Sequence, residues 1–224
     1  VLSDQLEDLS RSFRESGVFS SYTVIHAEDF SRGVNSSNQA MRSAFFRPNI
    51  VFLNMQQHDD YDKELRPVMR ECIRLEIGVL LFRSHPTANL GKRKMINVWV
   101  SDRQGAWTLG WDIGNLDLST LVAYKLKKNW GATIRLITVI RNEKEKEEAT
   151  QFLTDLVTLA RLPGTLIEVH QGSFHTQVTN APHADLNIFG MDEELPFEFV
   201  EEVTMKTQSS CLFVKDSGHE SILA

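Results

Sequence analysis

The stretch Ala184–Ser217, ADLNIFGMDEELPFEFVEEVTMKTQSSCLFVKDS, decides the fold class. Asp185–Gly190 is a short apolar run suited to a strand buried on both faces. An acidic turn follows, then an amphipathic stretch with Phe199, Val200 and Val203 on one side, then a second buried run at Cys211–Val214. Strand, crossover helix and parallel strand make a βαβ unit, whose crossover is right-handed in nearly all proteins. The same pattern occurs earlier, in Pro48–Ser84: PNIVFLNM, an acidic start at His58-Asp59-Asp60, a helix through Glu76, and the run GVLLFRS. A methionine closes the first strand of each copy (Met55, Met191), and a basic residue ends the second (Arg83, Lys215). The pattern reads as an internal duplication. It predicts an α/β protein of two pseudo-symmetric halves with mostly parallel sheets flanked by helices, residues 1–91 and 92–224, joined near Thr87–Lys94.

In open parallel sheets a ligand sits beyond the carboxyl ends of the strands, where a Gly-rich turn brings backbone N–H groups to phosphate. After NIFGM this chain has DEELPFE, and after IVFLNM it has QQHDDYD, neither with a glycine. Carboxylates at a helix N-terminus stabilise the helix and repel phosphate from the same spot. Both crevices therefore read as closed to nucleotides, and no cofactor is expected.

With 224 residues, 42% hydrophobic content and a net charge of −6, the chain reads as globular and is a poor match for a phosphate-backbone binder. No nucleic-acid partner is expected. No apolar run approaches the length of a membrane span. The chain opens at Val1 with neither methionine nor signal peptide, and so reads as a piece of a longer protein. Cys72 and Cys211 form neither CxxC nor zinc spacing and read as buried reduced thiols.

Elsewhere, Ser3–Ser16 puts Leu2, Leu6, Leu9 and Phe13 on one helical face that needs a partner surface. Tyr22–Ala27 reads as the first strand, Glu28–Asn38 as a Gly/Ser/Asn-rich loop, and Gln39–Phe46 as a short helix. Tyr61, Leu65, Val68, Met69 and Cys72 share a helical face interrupted by Pro67, which predicts a kink or a late helix start. ANLGKRK (Ala88–Lys94) reads as a solvated linker whose three cations attract anionic lipid weakly. Met95–Ser101 and Ala106–Trp111 alternate around a four-residue loop, predicting a hairpin that opens the second half, with Trp107, Leu109, Trp111 and Ile113 on one side. A helix over Asp117–Asn129 carries Lys125, Lys127 and Lys128 where they suit its dipole. There follow a strand Thr133–Ile140, a helix burying Phe152, Leu153, Leu156, Val157 and Ala160, a strand Thr165–His170, and a loop Gly172–Pro182. The tail carries Ile222 and Leu223, placed to dock on a partner or an edge.

No catalytic constellation stands out. His170, His175 and His183, with Asp185, would have to converge to bind metal, but no helical HxxxH or Cys/His spacing enforces it, so they read as loop histidines. There is no GxSxG elbow and no P-loop. The reading is of a non-enzyme, with no catalytic, cofactor or metal residues. Its working surfaces would be the apolar groups Leu6, Leu9, Phe13, Trp107, Trp111, Ile222 and Leu223.

Several segments, in order, resemble the cytosolic carboxy-terminal domain of cation-chloride cotransporters. They are RPNIVFLNM, the hairpin-then-basic-helix run INVWVSDRQGAWTLGWDIGNLDLSTLVAYKLKKNWGATIR at Ile96–Arg135, ADLNIFGM, and the closing LFVKDSGHESIL. The resemblance implies a regulatory domain that follows a bundle of membrane helices moving Na⁺, K⁺ and Cl⁻. It also implies two halves similar to universal stress proteins, homodimerisation, and attachment to the membrane-spanning part at the cytoplasmic face of the cell membrane. The long insertions that carry phosphorylation sites in larger relatives are missing, which argues against kinase regulation, and the compactness and acidic loops point to a prokaryotic member. No ion-binding residue carries over, since those lie in the membrane helices. The other reading is a stand-alone nucleotide-binding protein of the universal-stress type.

Overall fold

β-Branched and aromatic runs bounded by turn residues give the strands. In the computed structural model, which describes residues 2–44, 47–55, 60–101, 106–110 and 113–223, these are β1 (Ile50–Asn54), β2 (Gly78–Arg83), β3 (Met95–Val100), β4 (Thr133–Ile140), β5 (Leu166–Gln171), β6 (Leu186–Gly190) and β7 (Ser210–Lys215). They form one sheet in the order β1-β2-β7-β6-β3-β4-β5. Among the described residues β2–β7 is the antiparallel pair and every other neighbour is parallel. The helices are α1 (Leu2–Glu15), α2 (Phe30–Met41), α3 (Tyr61–Arg74), α4 (Asn115–Trp130), α5 (Lys146–Leu159), α6 (Phe174–Asn180) and α7 (Phe197–Thr207).

Buried strands sort their side chains alternately to two faces, and each face has its own core. On β7, Cys211 and Phe213 join α3, α6 and α7 through Leu65, Met69, Val178 and Val200. Leu212 and Val214 join α4 and α5 through Leu118, Ala123, Phe152 and Leu156.

The duplication shows in the register. Ile50 stands opposite Gly78 in β1–β2, and Leu186 opposite Ser210 in β6–β7, so both parallel pairs begin level. Each crossover helix starts seven residues after its strand ends (54 to 61, 190 to 197). Across the antiparallel seam Leu81 faces Phe213, the fourth residues of β2 and β7. An approximate twofold axis normal to the sheet passes between them, which relates the two βαβ units.

Several expectations need correction. Residues 22–27 form no strand and are not part of the seven-stranded sheet, although their composition is that of a strand. The expected loop at 28–38 is mostly α2. Asp29 caps it by accepting the Arg32 N–H at 2.7 Å, and α2 packs against α3. The helix expected over 39–46 is the end of α2, which stops at Met41; Phe45 and Phe46 lie outside the described residues. α3 runs through Pro67. The hairpin is not formed: β3 pairs in parallel with β4 and β6, and residues 106–110 carry no strand. Residues 102–105, 111 and 112 lie outside the described residues. The expected loop at 172–182 contains α6, capped by Ser173. No helix among the described residues is long and apolar enough to cross a membrane.

Candidate interaction surfaces

The crevice at the strand tips is differently built from the sequence expectation. Glu194 turns sideways to Arg70 on α3 (2.8 Å), while Asp192 and Glu193 are exposed, so the acidic turn does not fill the space. A cavity of about 460 Å³ opens there instead. Its walls are Trp99, Phe174, Phe189 and Phe199, with Ser173 and Arg141 at the rim. The rings lock one another: Trp99 stacks on Phe189 at 5.6 Å and takes Phe174 edge-on at 5.5 Å. Beneath them the Trp99 indole N–H and the Asn97 amide both donate to Asn187 Oδ1, at 3.0 and 3.2 Å.

Sequence reasoning missed what occupies the N-terminal turn of α4. Asp117 is buried and accepts the N–H groups of Ile113 (3.0 Å) and Ile222 (2.7 Å). Asn115 donates to the Met191 carbonyl at 2.8 Å and accepts the Asp216 N–H at 3.0 Å. The polar side chains of this turn are thus engaged by the chain's own backbone and tail, and a buried carboxylate stands at the helix end where an anion would have to come. Gly190 is closely packed here: a Cβ on it would lie 3.1 Å from Asn115 Cβ, so Asn115 would have to give by a few tenths of an ångström.

The linker is tied down as well. Asp185 accepts the N–H groups of Lys92 (2.8 Å), Lys94 (2.7 Å) and Met95 (2.9 Å). Burial alone would raise this carboxyl's pKa, but the N–H bonds from Lys94, Met95 and Lys92 hold it below the ordinary value. The three histidines do not share a site. His170 meets Glu168 at 2.9 Å, His175 meets Glu202 at 2.9 Å, and His183 lies exposed at the entry to β6. Among the described residues no three His, Cys, Asp or Glu side chains stand together to hold a metal ion. Cys72 and Cys211 are free and buried, and burial pushes each thiol up to about 11.

The residues expected to form an interface fall into two groups. On α1, Leu9 (54%) and Phe13 (45%) are exposed and Leu6 is half-buried. Trp107 is buried edge-on against Phe152, at 5.8 Å, and Ile222 and Leu223 are half-buried against the α4–α5 core, so these three pack within the chain. Trp111 lies outside the described residues. Beyond them the exposed apolar surface continues from α1 through Val18, Phe19 (74%), Tyr22, Val24 and Ile25 (50%). An unpaired apolar segment of β-like composition was the available signal. A second patch lies on the sheet face turned away from α3, where Phe52 (59% exposed) stacks on Phe82 at 6.0 Å.

Comparison with known proteins agrees with this architecture. No curated protein matches the sequence. A solved structure described as the cytoplasmic domain of a prokaryotic cation chloride cotransporter superposes with a TM-score of 0.90 at 36% identity, covering 99% of this chain and 83% of that one. A universal stress protein from Archaeoglobus fulgidus (TM-score 0.56, 13% identity, 96% and 76% covered) shares the fold. So does a functionally unknown protein from Pseudomonas aeruginosa (TM-score 0.56, 14% identity, 96% and 78% covered). The fold is therefore universal-stress-protein-like. Residues 1–90 match the family model for the first part, and residues 91–223 that for the second part, of the prokaryotic cation-chloride cotransporter C-terminal domain. The chain belongs to the C-terminal domains of prokaryotic cation-chloride cotransporters.

Proposed function

We propose that this domain is a non-catalytic regulatory and dimerisation module. It sits at the cytoplasmic face of the cell membrane in a transporter that couples Na⁺ and/or K⁺ to Cl⁻, with its two halves meeting near residues 91–92. The similar solved structure, described as a cytoplasmic domain, supports the location. The observation that carries the reading is the apolar surface of α1 and the segment after it, where Leu9, Phe13, Phe19 and Ile25 are 54%, 45%, 74% and 50% exposed. Contiguous apolar surface of this kind marks an interface. The isolated chain is expected to run as a dimer in sedimentation equilibrium, and Leu9→Glu/Phe13→Glu to run as a monomer. A wild-type monomer at high concentration would remove the dimer from the reading and leave the membrane-spanning part as the partner. Reconstituted full-length transporter with and without the domain tests regulation: equal flux under all ion gradients would sink it.

One observation favours the nucleotide-binding alternative, the aromatic-walled cavity at the strand tips. Against it stands the Asp117 carboxylate, buried in the first turn of α4 and held by the Ile113 and Ile222 N–H groups. Titration calorimetry with ATP decides between them, and micromolar binding would reverse the preference.

A further inference from the structure

β3, β4, β5, β6 and β7 are all carried in parallel from β4 and β5 through to β7, so the segments that lead into them gather at one end of the sheet. Lys92, Arg93 and Lys94 lead into β3, Lys125, Lys127 and Lys128 end α4 just before β4, and Arg161 precedes β5. Backbone contacts fix these pieces together. The Thr133 N–H donates to the Lys94 carbonyl at 2.8 Å, the Lys127 ammonium donates to the Pro163 carbonyl, and Asp185 holds the turn at Lys92 and Lys94. All but half-buried Lys127 are exposed.

Among the described residues none of these seven side chains forms an ion pair, whereas Arg66, Arg70, Arg74, Arg83, Arg135, Lys146, Lys206 and Lys215 all do. Asp185, the carboxylate that holds the Lys92–Lys94 turn, is already engaged by three backbone N–H groups. Tyr124 lies within this cluster, with the Lys128 ammonium 4.9 Å over its ring, and Lys128 first, then Lys125 and Lys127, hold its phenol below the ordinary pKa. The opposite end of the strands carries exposed Glu143, Glu147, Glu148, Asp192 and Glu193. The part of the chain built on β3–β7 is thus polarised along its strands, while at the β1–β2 side, which runs the other way, exposed Asp60 and Asp62 lie at the same end as the lysines. The helix dipole accounts for a fraction of this, since one helix end carries about half a charge, and Lys92–Lys94 follow a turn and not a helix.

We propose that this basic end rests on the anionic headgroups of the membrane that holds the rest of the transporter, with the acidic tips of β4 and β6 pointing away. The proposal uses family membership but is independent of dimerisation. The chemistry favours a phospholipid surface over nucleic acid: the patch is mostly exposed lysine and arginine, and its Tyr124 ring is covered by the Lys128 ammonium at 4.9 Å and not free to stack on a base. Each cation within a screening length of the surface multiplies binding about five-fold, and that length is about 10 Å at 0.1 M salt.

The 224-residue chain, whose sheet carries both cores, is mixed with vesicles of phosphatidylcholine alone or with about 30% phosphatidylserine and sedimented. Binding is expected to the anionic vesicles alone and to fall steeply between about 0.1 and 0.5 M salt. Lys125→Gln/Lys128→Gln/Arg161→Gln should weaken it about 100-fold, while Lys144→Gln/Lys146→Gln at the opposite end leaves it unchanged. If the triple variant has a lowered urea midpoint, Lys92→Gln/Lys94→Gln, which keeps the backbone bonds to Asp185, replaces it with an expected loss of about 25-fold. No preference for anionic vesicles, or equal weakening by variants at the two ends, overturns the proposal. Displacement from the vesicles by random-sequence duplex DNA at equal phosphate overturns it too, in favour of a nucleic-acid partner.

Discussion

Replacing Asp185 with asparagine removes a charge and little volume, at a point where two parts of the chain meet. The carboxylate accepts three backbone N–H groups at 2.7–2.9 Å, from Lys92, Lys94 and Met95. Hydrogen bonds to a charged group contribute about 1.5–3 kcal/mol each and neutral ones about 1. An asparagine keeps one acceptor oxygen, turns its NH₂ toward the remaining donor, and loses one bond while weakening two. Lys92 and Lys94 are exposed, so water recovers part of this and the net loss is about 2 kcal/mol. For a chain of this length that lowers Tm by about 4–8 °C. Because the folded-state pKa of Asp185 is lowered, its contribution is full above the unfolded value of about 3.9 and is lost as pH falls through the folded value. Urea titrations of wild type and Asp185→Asn should therefore differ by a constant amount from about pH 8 to 5, and converge in stronger acid. A deficit below about 0.5 kcal/mol at neutral pH, or one that does not close in acid, refutes the clamp.

Gly91→Ala should be at least as damaging as Asp185→Asn: the backbone sits at φ +48°, and a Cβ would lie 2.1 Å from Asp185 Oδ1. Combining the two should give a loss well short of the sum, measured by the same urea midpoints. Phe213→Ala empties a fully buried site stacked on Phe189 at 5.2 Å and should cost about 3–5 kcal/mol; a loss under about 1 would mean the seam is not packed as described. Cys72 and Cys211, with thiols pushed up to about 11 by burial, should react with an aromatic disulfide reagent only as fast as the chain unfolds, and prompt labelling of either at mild pH would contradict their burial.

The two βαβ units were legible because short apolar runs separated by helical periodicity are local signals, and both crossovers formed where that pattern put them. α2 was not legible. FSRGVNSSNQAM is full of poor helix formers, and the helix is held by tertiary contacts such as Asn38 to Cys72 and Asn35 to the Pro67 carbonyl. Residues 22–27 have the composition of a strand but are not part of the sheet. The supposed hairpin failed for a related reason: β3 found partners more than thirty residues away, and Trp107 turned inward to Phe152. At the surfaces, exposure of Leu9 and Phe13 followed from the amphipathic pattern of α1. The tail's docking on Asp117 joins residues 105 apart in sequence, and no local pattern encodes it.

The antiparallel pairing of β2 with β7 limits how a stimulus can travel through this domain. Two modules strung on a tether would swing freely, but here the partition runs through the middle of a hydrogen-bonded ladder from Val79 to Arg83. Parting it would bare Leu81 and Phe213 together, so the two βαβ units are held to one another as a single plate. A push delivered to α3 or α7, which pack on β2 and β7, would tilt the whole slab and could not fold it like a hinge.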